Sequence, residues 1–310
     1  MLFFLPAPLR GVLAFSMYTL NTLFWFGPLM LFALLRLLVP IPFWQRWMRW
    51  VLTQIAMAWI DINTVNMKLF QNIRFEVEGL EQLASDQWYL VLSNHQSWVD
   101  ILAMQRVLNR RIPFLKFFLK QELIWVPFMG IAWWALDFPF MKRYTRAFIE
   151  KHPHMKGRDI EITRKACEKF RTLPVSVVNY VEGTRFTPEK HARQQSPHAH
   201  LLRPKAGGVA FVLGAMGDQM TGIVNVTIAY PEGAKTFGQY LKGEVHTIRM
   251  HIEVLPVTDA LIGDYTHDSA FKSRFCDWIN ALWEEKDRRL SQMLSQPPLP
   301  ASEVMAEKRI

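Results

Sequence analysis

The stretch Trp88-Tyr89-Leu90-Val91-Leu92-Ser93-Asn94-His95-Gln96-Ser97-Trp98-Val99-Asp100 decides how this chain is read. Its first six residues form an aromatic and apolar run of strand length, and residues 101–108 behind it carry a helical pattern. The junction between them places His95 and Asp100 five positions apart. On a continuous helix five residues turn about 140°, so the two side chains would not share a face. They meet only if His95 lies in the turn after the strand and Asp100 in the first helical turn. A carboxylate reaching back to an imidazole is the usual way of orienting a histidine general base. The same residues also suit a helix start, because Ser97-x-x-Asp100 matches a capping box. The motif alone leaves both readings open.

Outward from this junction the chain alternates between strand and helix patterns. Residues 74–77, 112–115, 175–181, 223–229 and 245–254 read as strands, and 133–141 as apolar and strand-like. Residues 120–128, 157–171, 208–217 and 270–290 read as helices. No internal repeat is present. The alternation predicts an α/β fold, a central mixed β-sheet flanked by helices. The catalytic domain is expected over residues 70–290. Pro297, Pro298 and Pro300 mark a tail over 291–310 expected to lack fixed structure.

Composition sets the context. Half of the 310 residues are hydrophobic, 12 are Trp, and the net charge is +9. That combination suits an anionic membrane surface or a phosphorylated substrate better than a nucleic acid, for which no aromatic-basic motif appears. Cys167 and Cys276 fall in separate helical patterns without CxxC spacing and read as reduced thiols. Residues 11–35 contain no charged side chain and are long enough to cross a hydrocarbon core of about 30 Å. Gly27-Pro28 interrupts them, so a hairpin that dips into the bilayer is the alternative to a span. Arg36, Arg46 and Arg49 follow the run and only Arg10 precedes it, which places the C-terminal side in the cytoplasm. Residues 43–60 interleave Trp44, Trp47, Trp50 and Trp59 with the arginines, as suits a bilayer interface. Residues 1–62 are therefore expected to anchor the chain to a membrane. The apolar run 123–141 is broken by Pro127, Gly130, Asp137 and Pro139 and reads as part of the catalytic domain.

Further candidate residues follow later strands. Glu182-Gly183-Thr184-Arg185 stands at a strand end, where glycine permits a tight turn and the arginine fork suits a phosphate. Phe140-Met141-Lys142-Arg143 brings two cations out of an apolar strand. Pro204-Lys205-Ala206-Gly207-Gly208 sets a cation beside flexible backbone at a helix start. Each is weak alone. His95, Asp100 and Glu182 could also be imagined as metal ligands of a phosphohydrolase, and His191, His198 and His200 as a second cluster, but their scatter argues against both.

Taken in order, Asn94 to Asp100, Phe140 to Arg143, Glu182 to Arg185, the 204–207 turn and strand 223–226 resemble the four blocks of the 1-acyl-glycerol-3-phosphate acyltransferases. The resemblance covers roughly residues 88–230 and is closest to the lysophosphatidate and lysocardiolipin acyltransferase subgroup. Two departures are visible: Met141-Lys142-Arg143 stands where Ile-Asp-Arg is common, and Asn225 where proline is common. The resemblance implies the glycerolipid acyltransferase fold and a membrane-bound lysophospholipid acyltransferase. By it, His95 acts as general base with Asp100 as its orienter. It assigns Arg143 and Arg185 to the acceptor phosphate, with Glu182, Gly183 and Thr184 shaping that pocket. Lys120 is a further phosphate-side candidate, and Asn94, Lys205 and Gly207 support the motifs. No metal or cofactor is implied; the co-substrate is acyl-CoA or acyl-carrier protein. Membrane lipids are the expected surroundings, at a bacterial inner membrane with the catalytic domain on the cytoplasmic face. A catalytically dead lipid-binding scaffold is the competing reading.

Overall fold

The computed structural model describes residues 2–141, 170 and 173–297. The expected helix over 157–171 (Phe170 apart), Lys142, Arg143, Cys167 and the tail from 298 onward lie outside these residues. Two long helices, α1 (Ala7–Leu38) and α2 (Pro42–Phe70), lead into β1 (Arg74–Glu78), β2 (Tyr89–Ser93) and α3 (Val99–Leu108). Next come β3 (Leu115–Phe117), β4 (Leu119–Lys120), α4 (Met129–Ala135) and β5 (Phe140–Met141). The remaining described elements are β6 (Ser176–Tyr180), α5 (Pro188–Gln194), α6 (Ala206–Met216), β7 (Gly222–Ala229), α7 (Phe237–Leu241), β8 (Thr247–Leu255) and α8 (Ser269–Ser295).

Six strands form one mixed sheet in the order β1-β8-β7-β2-β6-β3. Among the described residues only the β7–β8 ladder of this sheet is antiparallel; β2 runs parallel to both neighbours, with Ser93 opposite Tyr180 of β6 and Val226 of β7. Side chains alternate between the faces as a pleat requires. Leu90 and Leu92 enter the core under α6 and α8, whereas Tyr89 and Val91 pack with Val99, Met104 and Tyr240 on the other side. A sheet covered on both faces explains why β7 is buried over its whole length.

Three elements differ from the sequence expectation. Residues 120–128 form the end of β4 and a 3-10 turn over Gln121–Trp125 in place of a helix. Residues 133–141 carry the end of helix α4 and the short β5 in place of one strand. Short apolar runs do not reveal their period, and here tertiary contact decides. The backbone at Gly130 packs so closely on Ile124 that an added Cβ would lie 1.9 Å from its carbonyl oxygen. The strand expected at 112–115 begins at Leu115, because Pro113 cannot donate to a ladder.

Helix α1 is long and apolar enough to cross a membrane, and its apolar window is only 17% buried. It runs unbroken through Pro28. Its inward side carries Ala14, Asn21 and Ala33, small or polar residues that let α2 approach, and Gly11, which faces Leu241 and Lys242 at the end of α7. Asn21 donates through Nδ2 to Asn63 Oδ1 (2.8 Å), and Asn66 Nδ2 donates to the carbonyl of Ala14 (3.2 Å). Arg36 and Arg49, at 3.0 and 3.4 Å from Asp137, tie both helices to the segment after α4. The helices are thus docked on the sheet domain while Leu20, Phe24, Leu31, Leu34 and Leu38 face outward.

Candidate active site

The parallel strands β6, β2 and β7 end at one edge of the sheet, where an α/β fold receives its ligands. The β2 exit is clasped first by Asn94. Its fully buried amide donates to the carbonyl of Ile228 and accepts from the Ile228 N–H, both at 2.9 Å. Asn94 therefore continues the β2–β7 pairing by one residue and sets where the chain turns.

His95 lies in that turn and Asp100 in the first turn of α3. His95 Nδ1 is 2.8 Å from Asp100 Oδ2. The same oxygen accepts the backbone N–H groups of Gln96 (2.7 Å) and Ser97 (2.9 Å). Asp100 Oδ1 accepts from the Tyr230 hydroxyl at 2.6 Å. With no exposed surface, Asp100 is held by four hydrogen bonds, as a buried carboxylate must be. The two readings of the motif coincide. Asp100 caps the turn through the Ser97 N–H while it holds the imidazole, but the Ser97 hydroxyl donates to the Lys235 carbonyl and accepts from Val99 N, leaving the reciprocal half of a capping box unmade. The Tyr180 ring stacks on His95, centroids 3.9 Å apart and planes 16° off parallel.

Glu182 sits behind this loop, fully buried. Oε1 accepts the His95 N–H (2.9 Å) and Oε2 the Leu202 N–H (3.0 Å). Burial pushes its carboxyl up to about 7, against the pull of those two N–H groups and of Lys286. Glu182 thus shapes the pocket from beneath and does not face a ligand. Lys286 projects from the apolar stripe of α8 between Trp283 and Leu290. It is fully buried and donates to the Val226 carbonyl (2.6 Å) and to Thr227 Oγ1 (3.3 Å). Burial pushes its ammonium down to about 7, opposed by Glu182 and Glu253.

Two predictions follow from this buried pair. Glu182→Gln leaves one of the two backbone N–H groups facing an amide NH2, a buried donor without an acceptor. The expected cost is about 1–3 kcal/mol of unfolding free energy, measured by denaturant titration, and a change near zero would refute the assignment. Lys286 has a folded value below its ordinary 10.5, so the unfolded chain binds more protons between about 7 and 10.5. Wild-type stability relative to Lys286→Met should therefore rise through that window and be flat below it. Melting temperatures of both chains across pH 6–10, roughly that window, check the sign.

The mouth of the site is a cavity of about 890 Å³. His95, Lys120, Gly183, Thr184, Arg185 and Lys205 are among its polar lining residues. Trp25 and Leu29 of α1, Ile55 and Trp59 of α2, and Ala132 and Trp133 of α4 lie along its apolar walls. Gly183 has a φ of +68°, the left-handed region that favours glycine, and a Cβ there would come within 3.1 Å of the Lys205 ammonium. Lys205 N donates to the Val181 carbonyl, which fastens the 204–207 turn to the β6 exit. Arg185 lies 4.9 Å over the Trp98 ring, and Thr184 Oγ1 accepts from Lys190 Nζ at 2.8 Å. Gly207 stands apart, its α-carbon facing Phe211 and Tyr265; Gly208 lines the cavity instead. Arg143 is outside the described residues.

Among the described residues no three His, Cys, Asp or Glu side chains are placed to hold a metal ion. Asp100 and Glu182 are turned to backbone N–H groups, and His191 Nε2 is 2.7 Å from the His198 carbonyl. Tyr180, Tyr230 and Lys286 were not singled out from sequence. Lys286 alone left a readable signal, a cation on an otherwise apolar helical stripe.

A family model described as Acyltransferase matches residues 74–231, half of the chain. Lysocardiolipin acyltransferase 1 of Danio rerio is 24% identical over 263 residues, 81% of this chain and 63% of that protein. Human 1-acyl-sn-glycerol-3-phosphate acyltransferase alpha is 32% identical over 122 residues, 39% of this chain and 38% of that protein. The chain thus spans less than two thirds of the length of these relatives. The crystal structure of the 1-acyl-sn-glycerophosphate (LPA) acyltransferase PlsC from Thermotoga maritima superimposes with a TM-score of 0.56, at 15% identity, over 94% of this chain and 97% of that one. That likeness shows the mixed α/β fold.

Proposed function

The chain belongs to the acyltransferase family, and from that premise we propose that it is a membrane-bound lysophospholipid acyltransferase acting on 1-acyl-glycerol-3-phosphate or a related acceptor. One observation carries the reading: His95, held by Asp100, lines a single cavity together with Lys120, Arg185 and Lys205 and with apolar side chains of α1, α2 and α4. A lysophospholipid has that polarity, a phosphate at one end and an acyl chain at the other.

With Nδ1 committed to Asp100, the other imidazole nitrogen is left to take the proton of the acceptor's free hydroxyl as its oxygen attacks a thioester carbonyl. Asp100 stabilises the imidazolium so formed. Collapse of the tetrahedral adduct breaks the carbon–sulfur bond, and the imidazolium returns its proton to the leaving thiolate. The new ester and a free thiol balance the step, and no covalent enzyme intermediate or cofactor is required. Arg185 and Lys205, with Lys120 and Arg143, are assigned to the acceptor phosphate. The fatty chain lies along the apolar walls from residues 123–134 and from α1 and α2. The thioester donor is acyl-CoA or acyl-carrier protein. The chain's place is the bacterial inner membrane, with the sheet domain on the cytoplasmic face.

The phosphate assignment has its own test. Arg185→Ala combined with Lys205→Ala should raise KM for lysophosphatidate by about 10–100-fold and change kcat much less. The same variant should handle monoacylglycerol, which lacks the phosphate, no worse than wild type. Equal losses on both acceptors would remove these residues from phosphate recognition.

A further inference from the structure

Asp100 can hold His95 in place only if the carboxylate itself cannot rotate. Its Oδ2 is crowded with three donors, His95 Nδ1 and the N–H groups of Gln96 and Ser97. Among the described residues Oδ1 has one partner, the Tyr230 hydroxyl 130 positions downstream at 2.6 Å. Tyr230 follows the last residue of β7, so its backbone is fixed by the sheet, and the residue is buried. Asn94 joins the β2 exit to the same stretch of β7 through Ile228. The loop bearing His95 and the tyrosine bracing Asp100 are therefore set on two adjacent strands.

We propose that Tyr230 is a positioning residue of the dyad: its hydroxyl pins Asp100 Oδ1, locks the plane of the carboxylate, and so keeps Oδ2 on the imidazole. This rests on the acyl-transfer reading for its catalytic consequence, but the geometric claim does not depend on turnover. Burial and the neighbouring Asp100 carboxylate hold the phenol well above its ordinary range, so the hydroxyl stays protonated and donates. Tyr180 completes the arrangement by stacking on the ring face, which confines the imidazole plane and leaves the in-plane orientation to Asp100.

Tyr230→Phe keeps the buried ring and deletes only the donor. The full chain, labelled with 15N at its nine histidines and held in detergent micelles, is compared with the variant by proton NMR. In the wild type the His95 Nδ1–H gives a slowly exchanging downfield resonance, assigned by its loss in His95→Gln. In Tyr230→Phe this resonance should broaden or vanish through exchange with water, while the melting curve stays cooperative. An unchanged position and exchange rate would overturn the proposal whether or not the chain turns over. In the transfer assay, kcat should fall about 10-fold with acceptor KM unaltered, and the same substitution in an Asp100→Ala background, which leaves the hydroxyl no carboxylate to hold, should have no further effect. A second loss of equal size in that background would show a general structural defect and overturn the positioning role. Absence of turnover in the wild type would count against the acyltransferase reading and leave the resonance test intact.

Discussion

Replacing His95 by alanine should lower acyl transfer by about 10³-fold or more while the protein stays folded. The loss is large because one side chain supplies both proton transfers, from the attacking hydroxyl and to the leaving thiolate. The fold survives because the loop is not built on the imidazole. The His95 N–H remains bonded to Glu182, and its carbonyl still accepts from Phe186 N at 2.7 Å. Asp100 keeps three of its four donors in Gln96, Ser97 and Tyr230. Only the stack on Tyr180 and one hydrogen bond are lost. Steady-state rates with a labelled thioester, beside circular-dichroism melts, separate the outcomes. A lipid-binding scaffold with a dead site would lose nothing on this substitution, and that result would favour the competing reading.

Asp100→Asn should lower kcat by about 10²–10³-fold with little change in acceptor KM. An asparagine can place its single carbonyl oxygen where Oδ2 stands, still accepting from His95, Gln96 and Ser97. Its amide nitrogen then faces Tyr230, whose hydroxyl turns from donor to acceptor. The imidazole keeps its tautomer and its place, but the negative charge that stabilises imidazolium is gone. The variant therefore isolates electrostatics from position. A kcat within about threefold of wild type would mean that Asp100 only caps α3.

Much of this site was legible because its residues lie close together in sequence. His95 and Asp100 are five positions apart, and the strand before them and helix after them leave one way for the pair to meet. The phosphate-side candidates at Gly183, Arg185 and Lys205 were readable as cations and glycine at strand and helix ends. The long α1 and the mixed sheet were written in apolar runs and alternation. What escaped depended on distance along the chain. Tyr230 touches Asp100 across 130 residues and Lys286 bonds to Val226 across 60, and no local pattern reports such partners. Glu182 was legible as a residue that shapes the pocket, but not that both of its oxygens do so by accepting the backbone N–H groups of His95 and Leu202. Residues 120–141 were misread because a short apolar run fits helix and strand alike, and the close packing of Gly130 on Ile124 settled the matter.

The central claim is tested most directly by incubating the purified full chain with 13C-labelled acyl-CoA or acyl-carrier protein and a panel of lysophospholipids, and reading the lipids by mass spectrometry. The account predicts a diacyl product carrying the label as an ester at the formerly free hydroxyl, formed from a phosphate-bearing acceptor, unaffected by EDTA and absent with His95→Ala. No labelled diacyl product with any acceptor and either donor would contradict it.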